Sequence, residues 1–311
     1  MTEQEALERM YPPGRRRKGI WRGGVLQIWT TRACDKACFG CTQHSNLAGK
    51  PTRITPDQFE TACKSLAGYF GVVGIFGGNP CTHPEFETLC EILAAHFPFE
   101  QRGLWSNNLL GKGVIARRTF NPDVSNLNVH LDQAAFDEFR STWPESKPFG
   151  LDSDSRHAPP FVALQDVVAD PAEQWDLIGH CDINRRWSAM ISVFRGELRG
   201  YFCEIAGSQA MLHQHEPDYP DLGVDVIPGW WQRPMADFAG QVRFHCRACG
   251  IPLNAKGPLA QDETGTEQVS QTHVDAFHPK RPGRLVQLVT SREQLAGQLE
   301  HVTDYVKNAS L

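Results

Sequence analysis

The chain has 311 residues, 41% of them hydrophobic and 22% charged, with a formal net charge of −5. That length holds one large domain or two, at about 150 residues each. Without a run of about 18 apolar residues a transmembrane helix is excluded, and the acidic balance argues against a surface dedicated to wrapping nucleic acid.

Residues 3–10 suit a short helix, broken at Tyr11, Pro12, Pro13 and Gly14. Arg15, Arg16, Arg17 and Lys18 form a basic run, ordinarily a solvated face and the single local feature leaning toward DNA. Residues 25–30 are mostly apolar, as in a strand covered on both faces. A cysteine-bearing loop follows. Thr55, Pro56 and Asp57 then open a helix as N-cap, first position and first-turn acid, with Phe59, Cys63, Leu66 and Phe70 along one face. Residues 71–76 make a second buried strand ending in the turn Gly77-Gly78, and residues 84–97 the next helix. Strands at 103–106 and 127–132, a helix at 133–143 and a short strand at 161–164 continue the alternation. This α/β pattern predicts a parallel sheet whose site lies on loops at the strand C-terminal ends.

Beyond about residue 175 the texture changes. Residues 190–194 and 198–202 read as a hairpin through a three-residue turn, Arg195-Gly196-Glu197. Residues 204–213 read as a helix and 255–283 as loop. Leu295, Leu299, Val302 and Val306 mark a final helix capped by Ser291. The expected organisation is an N-terminal extension (1–21), an α/β domain (22–175), a smaller α+β domain (176–275) and a C-terminal segment with a helix (276–311).

Ten cysteines accompany an acidic start, Met1 to Glu5, that lacks the apolar stretch of a secretory signal. A cytoplasmic, reducing compartment is therefore expected, where clustered thiols point to metal or catalysis. Cys34, Cys38 and Cys41 can bind three metals of a cubane and leave the fourth open to a small molecule. A zinc site completed by His44 is the alternative. Cys181, Cys203, Cys246 and Cys249 make a complete ligand set, for a cluster or for structural zinc. Cys63 and Cys90 read as core, and Cys81 as core or redox-active. Trp230 and Trp231 could stack on a base or sugar or simply pack. Arg233 could meet an anion or reach solvent. His213 and His215 read as surface residues.

The triplet spacing, with Phe76-Gly77-Gly78-Asn79-Pro80 one strand later, resembles the radical S-adenosylmethionine superfamily over about residues 22–170. The resemblance implies a partial (β/α)6 TIM-like barrel holding a 4Fe–4S cluster on Cys34, Cys38 and Cys41. It implies S-adenosylmethionine contacts at Gly77, Gly78, Asn79 and Pro80 and at the polar turn Ser106-Asn107. His130 and Asp132, at i and i+2 of a strand, would face the barrel interior. Position 79 is Asn where the family commonly has Glu. Position 40 is Gly where an aromatic often packs on adenine, a task Phe39 could take over.

The second cysteine set resembles the twitch domain, a shortened relative of the SPASM domain, which implies an auxiliary 4Fe–4S cluster. The implied activity is reductive cleavage of S-adenosylmethionine to a 5′-deoxyadenosyl radical, which abstracts hydrogen from a compact polar substrate. The nearest analogy is the aminocyclitol dehydrogenases, in which an auxiliary cluster can accept an electron. A flavodoxin- or ferredoxin-type reductant is implied. The alternatives are a redox-neutral isomerase or epimerase on a modified nucleoside, as in phage thymidine hypermodification of DNA, and a non-enzymatic zinc-binding interaction protein.

Overall fold

The computed structural model describes residues 1–15, 24–49, 51–151, 157–186, 188–255 and 266–295. Arg16, Arg17 and Lys18 of the basic run, and the expected C-terminal helix beyond Leu295, lie outside the described residues. Helix α1 (Glu3–Arg9) starts in a capping box, with the Glu5 carboxylate accepting the Thr2 N–H at 2.7 Å. Strand β1 (Val25–Thr31) is buried along its whole length, which its apolar run requires. Helix α2 (Pro56–Ser65) opens at the predicted cap, where Thr55 and Gln58 bond reciprocally. Strand β2 (Val72–Gly77), helix α3 (Phe86–His96), strand β3 (Arg102–Ser106) and helix α4 (Gly113–Thr119) follow the predicted alternation.

Strand β4 stops after Asn126–Leu127, shorter than predicted. His130 and Leu131 adopt left-handed backbone, at φ +49° and +62°. Two side chains turn the chain out of the sheet. Asn128 Oδ1 accepts the His130 N–H at 3.2 Å, and Asp132 Oδ1 accepts from Ala135 at 3.0 Å as the N-cap of helix α5 (Gln133–Thr142). His130 and Asp132 therefore do not share a strand face. The expected strand at 161–164 is also absent. Residues 161–163 are a buried turn leading into helix α6 (Leu164–Val167), and a short apolar run does not distinguish these states.

Helices α7 (Pro171–Gly179) and α8 (Asp182–Arg186) lead to strand β5 (Ser188–Phe194), which pairs parallel with β1 on the side away from β2. Strands β6 (Glu197–Tyr201) and β7 (Val224–Asp225) add antiparallel, with helix α9 (Glu204–His213) between them. The result is a mixed α/β fold around a seven-stranded, mostly parallel sheet in the order β4-β3-β2-β1-β5-β6-β7. Its pairing holds five mutually parallel strands rather than six successive units. The sheet and one buried apolar cluster, from Leu7 to Leu295, run through the expected boundary near residue 175. The β5–β6 hairpin turns in two residues, since Phe194 pairs with Glu197 and Arg195 and Gly196 both have positive φ.

The expected N-terminal extension packs on the body: the Met1 amino group donates to Ala172 O at 2.9 Å, and α1 lies against α7. The stretch read as loop contains strand β8 (Thr266–Val269), paired parallel with strand β9 (Leu285–Leu288). Trp230 and Trp231 are core residues. A Cβ at Gly200 would lie 2.6 Å from the Trp230 ring, and one at Gly14 would lie 2.3 Å from Trp231. Cys63 and Cys90 are buried as predicted. Among the described residues no helix is long and apolar enough to cross a membrane.

Candidate functional site

The register of β1 on β2 slips between Trp29 and Thr31, so β1 bends just before the triplet loop. Gly77 and Gly78 then run against that loop's first residues. Gly78 N donates to Thr31 O at 2.7 Å and Asn79 N to Ala33 O at 2.8 Å. A Cβ on Gly77 would meet Thr31 O at 2.3 Å, and one on Gly78 would meet Ala33 O at 2.3 Å. The glycines let two backbones close on each other, and both still line the cavity described below. The glycine at position 40 is likewise required. It has φ +57°, and Ala158 O would lie 2.5 Å from a Cβ.

A cavity of about 710 Å³ opens at this end of the sheet, within the size range of ligand sites. Cys34, Cys38 and Cys41 line it on the triplet loop, and Cys181 lines it from the connection between α7 and α8. Phe76 and Trp105 give it apolar wall, while Lys36, Gln43, Asn107, Asn128, His130 and His157 give it polar wall. Both amide atoms of Gln43 and Nδ1 of His130 are buried and have no hydrogen-bond partner among the described residues. The His130 ring meets that of His157 edge-on, 5.3 Å between centroids. Burial and the neighbouring His157 and Lys36 drive the His130 imidazole down to about 3, so it is neutral.

Other predicted cofactor residues lie behind this wall. Asn79 is buried, and its amide donates to Asp35 Oδ1 at 3.1 Å and Asn108 Oδ1 at 2.6 Å. Its Oδ1 accepts from Cys81 N at 2.9 Å and Ser106 Oγ at 3.0 Å. Pro80 starts a buried 3-10 turn. Phe39 is buried, its carbonyl accepting from His157 Nδ1 at 2.9 Å. Asp132 pairs with Lys36 at 3.1 Å besides capping α5. Cys81 is a core residue whose thiol burial pushes up to about 12. His44, the alternative zinc ligand, shares a 2.5 Å hydrogen bond with Ser208 Oγ on α9.

The residue that organises this region is Asp35, which sequence reasoning did not single out. Its carboxylate accepts from Asn79 at 3.1 Å, Asn107 at 3.2 Å and Asn108 at 2.7 Å. Burial pushes the carboxyl up, but the three amides outweigh it and hold Asp35 below the usual value of 3.8. Because the folded state favours the ionised form, this stabilisation is complete above 3.8 and is lost as pH falls through the lowered value. The urea midpoint of the wild type should therefore fall more steeply than that of Asp35→Asn between about pH 5 and about pH 3. Equal slopes would contradict the arrangement.

Burial, then Asp35, then Cys41 push the Cys34 thiol up to about 12; the Lys36 N–H pulls the other way. Burial also raises Cys41, against the N–H groups of Ser45, Gln43 and Asn46, which point at its sulfur. Cys203 is the N-cap of α9, and Cys246 ends a π-helical turn, Val242–Cys246. Burial raises Cys246 and Cys249 well above the ordinary thiol value, and Cys181 and Cys203 add to both. Cys181 and Cys203, distant in sequence, thus lie near enough to Cys246 and Cys249 to act on both. Among the described residues no three His, Cys, Asp or Glu side chains close to the spacing of a single bound ion.

No family model matches the chain, and no curated protein is significantly similar to it.

Proposed function

We propose that this chain is a radical S-adenosylmethionine enzyme with a twitch-type auxiliary cluster, oxidising a compact polar substrate. The observation that carries the reading is that Cys34, Cys38 and Cys41 share one cavity with Cys181, a member of the second cysteine set. The donor chemistry fits. Thiols held by backbone N–H groups suit a soft, thiolate-ligated cluster, and three such ligands leave one iron open. The partial (β/α)6 barrel belongs to this reading, with β1 to β4 as its parallel units.

Cys34, Cys38 and Cys41 would hold the cluster, which with S-adenosylmethionine would supply one-electron radical chemistry at the substrate. The protein's own part is placement. Gly77 and Gly78 let β2 close on the triplet loop and present their backbone at the cavity wall, where a cofactor would meet it. Lys36, Gln43, Asn128 and the neutral His130 offer hydrogen bonds that orient a polar substrate. Phe76 and Trp105 keep water from that side. Cys181, Cys203, Cys246 and Cys249 would fill all four ligand positions of the auxiliary cluster and leave it electron transfer. A flavodoxin- or ferredoxin-type protein would supply the reducing electron.

The test is metal and sulfide content after anaerobic reconstitution, followed by incubation with S-adenosylmethionine and dithionite. The expected result is about eight irons per chain, negligible zinc, and release of 5′-deoxyadenosine and methionine. About four irons with one zinc would remove the auxiliary cluster as electron acceptor. Zinc in both places without deoxyadenosine would refute the reading.

A further inference from the structure

The segment from Glu267 to Arg284, read as loop up to residue 283, contacts the triplet loop through both of its ends. Four consecutive loop carbonyls accept from its cations. Lys280 Nζ bonds Cys34 O and, at 3.2 Å, Lys36 O; Arg281 bonds Asp35 O at 3.0 Å; Arg284 bonds Ala37 O at 2.9 Å. The far end of the loop is held by backbone, Lys280 N to Asn46 O and Ala48 N to His278 O, both at 2.7 Å. Between these ends stands a buried pair: Glu267 and Arg284 meet at 2.5 Å with side chains 0% and 1% exposed. Glu267 also accepts from Gly40 N at 3.0 Å and Asn46 Nδ2 at 3.2 Å. Burial pushes its carboxyl up to about 7 against the pull of Arg284 and these donors.

An ion pair taken out of water is weak evidence for stability, but its fixed hydrogen bonds hold one geometry. Here that geometry belongs to the triplet loop. The loop carbonyls face the strap, while the N–H groups of Lys36, Gln43, Ser45 and Asn46 point at the sulfurs of Cys34 and Cys41. Lys280, Arg281 and Arg284 bring three positive charges to the loop, and Glu267 returns one negative charge. Positive charge beside a cluster favours its reduced, more negative state.

We infer that residues 267–284 are a cationic strap that holds the triplet loop in its metal-binding shape and raises the reduction potential of the cluster bound there. The potential half rests on the function proposed above; the holding half does not. Lys280, Arg281, Arg284 and Glu267 are positioning residues, acting through the loop and its cysteines.

Two measurements on the full chain separate these halves. The first is hydrogen exchange of residues 34–46 in the metal-free protein, for wild type, Lys280→Met, Lys280→Arg and Glu267→Gln. Faster exchange is expected in Lys280→Met and at Gly40 in Glu267→Gln, with wild-type rates in Lys280→Arg. Unchanged exchange in both Lys280→Met and Glu267→Gln would overturn the holding role. The second is a redox titration with iron release to a chelator after anaerobic reconstitution. The triplet signal is assigned by its loss in a Cys34→Ala/Cys38→Ala/Cys41→Ala variant. Lys280→Met should release that iron about tenfold faster, the scale on which outer partners of metal ligands act, and titrate at a lower potential. Lys280→Arg should restore both. A fully loaded Lys280→Met with wild-type potential would overturn the tuning role. No triplet iron in the wild type would instead refute the functional reading, together with the potential half alone.

Discussion

Gly77→Ala is expected to destabilise the fold by about 3–5 kcal/mol, at the far end of what single substitutions do. Two penalties coincide at this position. The backbone sits at φ +145°, a region that L side chains rarely adopt, and the new Cβ would lie 2.3 Å from Thr31 O. The obstacle is backbone in the adjacent strand, so no side-chain rotation relieves it. Gly78→Ala isolates the clash, since its Cβ would meet Ala33 O at 2.3 Å without a positive φ. Gly68→Ala isolates the strain, because Gly68 has φ +80° and nothing within 4 Å of its Cβ. Urea unfolding should rank them Gly77→Ala, then Gly78→Ala, then Gly68→Ala at about 1 kcal/mol. If Gly77→Ala costs no more than Gly68→Ala, the close approach of β2 to the triplet loop is wrong. Chains that still fold with Ala at 77 or 78 should load less iron, because the triplet loop leaves β1 where these glycines press.

Replacing Cys34, Cys38 and Cys41 together with Ala is expected to abolish 5′-deoxyadenosine formation. Iron should fall from about eight to about four per chain. The second set should keep its iron, since its ligands come from α9, the π-helical turn and the end of α7 rather than from the triplet loop. Cys63→Ala and Cys90→Ala provide the contrast. Both thiols are buried in the apolar core, so these variants should lose stability while keeping iron and activity. Activity surviving in the triple variant would remove the triplet from the chemistry. An equal loss of iron in Cys90→Ala would show that metal content reports on folding rather than ligation.

The parts of this protein that could be read along the chain are those whose causes lie within a few residues. Thr55, Pro56 and Gln58 cap α2 by bonds that close within one turn. The apolar runs of β1 and β2 mark strands covered on both faces, and the helix at Glu204–His213 stands where its pattern places it. Misreadings arose where a local hydrogen bond competed with the apolar signal. Asn128 and Asp132 end β4 five residues earlier than its pattern suggests, and Pro159 accepts the Val162 N–H in place of a strand ladder. Gln268 and Gln287 sit in the paired strands β8 and β9, whose short polar-containing runs carry too little periodicity to be seen.

For the candidate site, spacing marked the triplet, while the glycine pair was marked by the family resemblance and the four later cysteines by their number and that resemblance. Asp35 was missed although it adjoins Cys34, since its importance comes from three asparagines 44 to 73 positions away. A hint of the strap was present in Lys280 and Arg281 within the supposed loop and Arg284 just after it. By itself the sequence determined the caps, the buried strands and the inventory of thiols, all set by short-range bonding and local apolar pattern. Only the tertiary structure decided that β5 joins β1, that Cys181 and the triplet share a cavity, and that Glu267 and Arg284 hold the triplet loop. Those outcomes depend on burial and pairing between segments up to 247 residues apart, where no local pattern of residue types carries the register.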